Sequence, residues 1–134
     1  MRLVLASLLV LAACDGGDGY PEDTSAVIVM WDCPGEESTV DTVSYVGTDM
    51  TVTASYGGCE ATRQWVCWNG LVPGSGAWPP QLGLHVFHKP AGECDALQSS
   101  TLTFSLSPVV DDRDLRDLSE IIFFVGGHRV DWLR

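Results

Sequence analysis

Met50-Thr51-Val52-Thr53-Ala54-Ser55-Tyr56 decides the fold class of this chain. Met50, Val52, Ala54 and Tyr56 alternate with Thr51, Thr53 and Ser55. A period of two sends one set of side chains to a core and the other to water, which describes a half-buried β-strand. Leu102, Phe104 and Leu106 repeat the pattern against Thr101, Thr103, Ser105 and Ser107, and Leu82, Leu84 and Val86 supply a third case. The unbroken apolar run from Ala26 to Trp31 predicts a strand buried on both faces. Ile121 to Val125 and His128 to Trp132 flank Gly126-Gly127, and two residues free to take positive φ between β-rich runs predict a tight hairpin. Gly57-Gly58 follows Tyr56 in a similar way.

One segment departs from the period of two. Leu115, Leu118 and Ile122 recur at helical spacing behind Asp111 and Asp112, so a short helical turn is expected over 111–119. About seven short strands separated by turn signals predict an all-β fold, an antiparallel β-sandwich. The closing order of strand, helical corner, strand, hairpin and strand resembles the last strands of immunoglobulin-like domains. That likeness is architectural and implies no activity.

Working back to the N-terminus, Arg2 precedes the apolar stretch Leu3 to Val10, and Leu11-Ala12-Ala13-Cys14 follows. A charge, a short apolar core and small residues before a cut make a secretory leader, too short for the ~20 residues of a membrane span. The exit resembles the lipobox of bacterial lipoproteins. In that family the cysteine thiol is capped with a diacylglycerol and the chain is cut just before it. The resemblance implies that residues 1–13 are a signal peptide, that Cys14 is lipidated, and that two or three acyl chains such as palmitate hold the protein to a membrane of the bacterial envelope, facing the periplasm or the exterior. Asp15 matches the retention signal that enterobacterial lipoproteins use for the inner membrane. Residues 14–24 then read as a flexible Gly/Asp-rich tether, and 25–134 as a single disulfide-stapled β-sandwich domain. Nine flexible residues, Asp15 to Asp23, reach roughly 15–18 Å.

Lys and Arg number 7 against 18 Asp and Glu, a net charge of -11. Removing the leader loses Arg2 and no acid. Such a balance excludes nucleic acid, whose binding depends on basic groups that neutralise phosphates. Five cysteines become four once Cys14 carries lipid, and an even set outside the cytosol predicts two disulfides among Cys33, Cys59, Cys67 and Cys94. Three pairings are open. Cys59–Cys67 with Cys33–Cys94 is the expected one, because the first pair brackets a short turn-like segment. A zinc site is disfavoured, since no C-x₂-C pair is present.

Candidate chemistry is sparse. His85 and His88 stand three apart, which on a strand sends their rings to opposite sides of a sheet, and His128 is isolated beside the hairpin. No metal ligand set follows. No G-x-S-x-G elbow is present, so no catalytic residue and no cofactor is assigned. Asp111, Asp112, Asp114 and Asp117 are interleaved with Arg113 and Arg116 and read as a self-neutralising face. Five tryptophans remain: Trp31, Trp65, Trp68, Trp78 and Trp132. Trp65 and Trp68 point opposite ways on one strand, so one of them reaches the outer surface if the other enters the core. Trp78, held before Pro79-Pro80, and Trp68 are the candidate ligand-binding residues. The expected function is a membrane-anchored, non-catalytic protein-interaction or structural domain. The alternatives are a glycan or cell-wall binding module using exposed tryptophans, and a small secreted enzyme with a spatially assembled site.

Overall fold

The computed structural model describes residues 19–22, 25–61, 63–72 and 78–134. The leader, Cys14 and Asp15 lie outside the described residues, as do 73–77 before Trp78. Two sheets face each other. The small one holds β3 (Thr39–Val46), β4 (Asp49–Gly57) and β7 (Leu97–Ser105) in the order β3-β4-β7. The large one runs β1-β5-β6-β8-β9, from β1 (Ile28–Val29), β5 (Gln64–Trp68), β6 (Gln81–His88), β8 (Glu120–Val125) and β9 (His128–Leu133). A two-residue strand, β2 (Glu36–Glu37), also pairs with β6. Residues with period-two apolarity meet between the layers: Met50, Val52, Ala54 and Phe104 on one side, and Leu82, Leu84, Val86, Phe123 and Trp132 on the other. Each of the Met, Val, Leu and Phe side chains contributes roughly 1.5–3 kcal/mol relative to exposure.

The sandwich-like fold is the one the alternation predicts, and Gly126 and Gly127, at φ 54° and 88°, form the β8–β9 hairpin. Two pairs are parallel, however: β1 with β5 and β6 with β8. The second sits inside the large sheet. Immunoglobulin-like sandwiches use antiparallel sheets, so the likeness stops at the order of elements. Gly57-Gly58 does not close a hairpin. β4 ends there and the chain crosses to β5 in the other sheet, while the β3–β4 turn falls at Gly47, φ 60°.

The run from Ala26 to Trp31 is not a doubly buried strand. Only Ile28 and Val29 pair with β5, and Val29, Met30 and Trp31 are exposed. The helix lies upstream of its expected place, at α1 (Ser107–Val110), where Pro108 suits a first turn. Residues 111–117 form successive turns. Asp112 does cap them, accepting the Asp114 N–H at 3.0 Å, but hydrogen bonds alternate between i+3 and i+4 spans. Arg134 fastens this corner, donating to the carbonyls of Leu118, Val110 and Leu115 and reaching Asp111 at 3.8 Å. A cation from the far end of the chain thus balances acids that the sequence pairs only with local arginines.

Both disulfides form, with the other partners: Cys33–Cys67 and Cys59–Cys94, Cα atoms 6.4 and 4.7 Å apart. Cys67 belongs to a strand and faces the chain that leaves β1, whereas Cys59 meets the loop before β7. Chain proximity around a turn is outweighed by strand direction. Tyr20 to Glu22, expected in the tether, lie on the domain. Tyr20 packs 5.8 Å from the Trp65 ring, and Arg63 donates to the carbonyls of Tyr20 and Pro21 and to Glu22.

Candidate functional site

The site is built on the outer side of β5 and β6. In their antiparallel register Trp65 opposes Phe87 and Cys67 opposes His85, and this set faces away from the core. Val66, Trp68 and Val86 face inward. An outward face normally meets water. Here residues 30–38 form a strap across it. The strap leaves β1, turns at Trp31, is bonded to Cys67 through Cys33, and passes over Trp65, whose indole N–H donates to the Pro34 carbonyl at 3.1 Å. It ends as β2 on the edge of β6 that β8 leaves unpaired, with Glu36 opposite His88 and Glu37 opposite Phe87.

Beside the strap lies an open cleft of about 290 Å³, lined by Met30, Trp31, Asp32, Cys33, Cys67, Asn69, His85 and Phe87. Trp31 is 74% exposed, and Val29, Met30 and Leu71 add exposed apolar surface nearby on the same edge. His85 Nδ1 is 2.8 Å from Glu37 Oε1, which holds that ring against the cleft wall. Asn69 accepts the Leu71 N–H at 2.9 Å, leaving its amide nitrogen for the cleft. A concave surface with aromatic rings and a few convergent polar groups is the ordinary form of a binding site.

The strap corrects the tryptophan assignment. Trp68 is 1% exposed and donates its indole N–H to the Leu71 carbonyl, so it is a core residue. Trp65 does point the opposite way, but the strap and Tyr20 cover it completely. Trp78 is at the surface, 69% exposed, and is not one of the residues around the cleft. Trp31 is the tryptophan that lines the cleft, and the sequence did not single it out. Its place at the end of an apolar run reads as core, and only the neighbouring Asp32-Cys33-Pro34-Gly35 hints at a turn there.

His85 and His88 occupy opposite sides of β6, as their spacing requires. His88 is buried, stacked on Tyr56 at 4.2 Å, with Nδ1 2.8 Å from Ser38 Oγ and Nε2 3.6 Å from Glu36. This is the serine–histidine–carboxylate juxtaposition that an assembled enzyme site would need. Yet Ser38 is 4% exposed, and the carboxylate is beyond hydrogen-bond length. A nucleophile must meet its substrate. In this arrangement the Ser38 hydroxyl satisfies the buried His88 ring. His128 donates from Nε2 to the Val40 carbonyl at 2.6 Å and helps join β9 to β3. Among the described residues no cluster of metal-ligating side chains occurs, and no helix is long and apolar enough to cross a membrane.

Burial holds the His88 pKa below its usual 6.5, and Glu36 offsets this only in part. The folded state therefore binds fewer protons than the unfolded chain below that pH. The contribution of His88 to stability is complete above pH 6.5 and declines as pH falls towards the folded-state value. Urea midpoints of the native chain should drop between neutral pH and about pH 5. His88→Gln should flatten that slope, and parallel slopes would contradict a neutral His88.

Comparisons of the chain with protein families, with curated proteins and with solved structures find no match.

Proposed function

We propose that this chain is a lipid-anchored protein of a bacterial envelope whose β-domain is a non-catalytic binding module, engaging a partner at the Trp31 cleft. The observation that supports the binding role is Trp31 itself. A large indole left 74% exposed beside a cleft, on a strap whose Cys33 is bonded to the sheet beneath, gains by being covered. Anchoring rests on the lipobox resemblance at Leu11 to Cys14.

Two experiments test the two halves. Cys14→Ser should move the protein from membrane to soluble fraction and remove the acyl mass, and continued tight membrane association would refute the anchor. A photo-crosslinking residue at position 30, which lines the cleft and leaves Trp31 in place, should give a discrete adduct in the native envelope, whereas the same residue at the exposed Val46 should give none. Identical patterns from both positions would leave the cleft without a role. A second reading, a glycan or cell-wall ligand, is favoured by the exposed Trp78 ring before Pro79. It predicts a change in tryptophan fluorescence on titration with oligosaccharides.

A further inference from the structure

We propose that the Trp31 cleft receives a basic side chain, arginine or lysine, carried by an extended segment of a partner protein. This rests on the binding-module reading and names the chemistry of the occupant. Three observations converge on it.

The first is charge. Asp32 forms part of the cleft wall and makes no ion pair among the described residues. Glu36 and Glu37 follow on the strap, both exposed, with Glu37 in contact with the lining residue His85. No Lys or Arg lies among the described residues around the cleft. The net charge of -11 extends the same field over the whole molecule and steers cations towards it. An anionic ligand would be repelled, and a neutral sugar would gain hydroxyl hydrogen bonds to the carboxylates but nothing from their field.

The second is aromatic surface. Trp31 is exposed and Phe87, which also lines the cleft, is half-buried. A guanidinium or ammonium over an aromatic face gains about 0.5–1 kcal/mol at an exposed site, and tryptophan is the best partner. Carboxylate and π face together match a cation with a flat or apolar stem, which describes arginine and lysine.

The third is size. The volume of about 290 Å³ stands at the lower limit for small-molecule pockets, roughly 300 Å³. It suits one long side chain better than a chain of sugar rings. The rest of the partner would lie where the strap leaves β1, with Met30 and Val29 supplying apolar contact.

The test uses the full chain in nonionic detergent and follows the indole N–H resonance of Trp31. The probes are an acetylated and amidated Gly-Ser-Arg-Ser-Gly peptide, its citrulline counterpart, which is isosteric but neutral, and cellotetraose as a neutral glycan. The arginine peptide should shift the Trp31 resonance with millimolar affinity, and citrulline should weaken it about fivefold. Asp32→Asn should cost a similar factor, and binding should fall as salt rises from about 50 to 300 mM. Trp31→Ala should remove the response, and Leu97→Ala, on the distant β7, should not change peptide affinity. Both Asp32 and Trp31 are exposed, so these variants keep the fold. Equal affinity for arginine and citrulline peptides, or no effect of Asp32→Asn, overturns the cationic occupant and leaves the cleft as a binding site. A Trp31 shift with cellotetraose alone does the same in favour of a glycan. No shift with any probe at about 10 mM overturns the occupant and the cleft together.

Discussion

Replacing Cys33 and Cys67 together by alanine should lower the unfolding free energy by about 4 kcal/mol and abolish binding at the Trp31 cleft. The bridge spans a sequence separation of 34, and the loop-entropy relation gives that size. Cys59–Cys94 spans 35, so its double alanine variant should lose about as much. The two bridges differ in what they hold. Cys33 and Cys67 both line the cleft and pin the strap over Trp65, whereas Cys59 and Cys94 join loops at the ends of β4 and β7. Loss of the first should also expose Trp65, read as increased quenching by acrylamide before global unfolding. Loss of the second should leave both Trp65 quenching and cleft binding as they were. If the two variants lose binding equally, the cleft depends on overall stability and the strap has no special part in it.

Gly35→Ala should be destabilising by about 3 kcal/mol, since overpacking and backbone strain act together. The added Cβ would stand 2.6 Å from Trp65 Cζ2 and 2.7 Å from the His88 carbonyl oxygen. One neighbour is a buried ring fixed by its bond to Pro34, and the other is backbone of β6, so neither can yield cheaply. The residue also sits at φ +101°, where a side chain is strained whatever the space. Gly47→Ala isolates the second effect. Gly47 lies at φ +60° with nothing within 4 Å, and only the left-handed penalty of about 1–2 kcal/mol applies. Urea midpoints of the two variants give the comparison directly. A Gly35→Ala cost no greater than that of Gly47→Ala would mean that the strap does not press on Trp65 as tightly as the geometry states.

Both results turn on the strap, and the strap was the element least legible in the sequence. β4, β6 and β7 were readable because each has one face on the core and one in water, which writes a period of two into the chain. The β8–β9 hairpin was readable because Gly126-Gly127 sets its turn locally. β5 was ambiguous for a physical reason. Gln64-Trp65-Val66-Cys67-Trp68 is apolar on both sides, and such a strand does not say whether its outer face meets solvent or a covering segment. Expecting one tryptophan at the surface assumed that nothing lay above it. The helical corner was displaced because helical spacing also arises by coincidence, here from Leu115, which enters the core from a turn, and Ile122, which is buried on the outer face of β8.

Local order along the chain determined the all-β class, the layers of the core and the presence of two cross-links, since each depends on residue type at short range. Tertiary structure alone decided which cysteines join, which tryptophan stays in water and where a cleft opens. Those outcomes depend on segments far apart in the chain arriving at one face of a sheet, and the free energy of that meeting leaves no periodic trace in either segment.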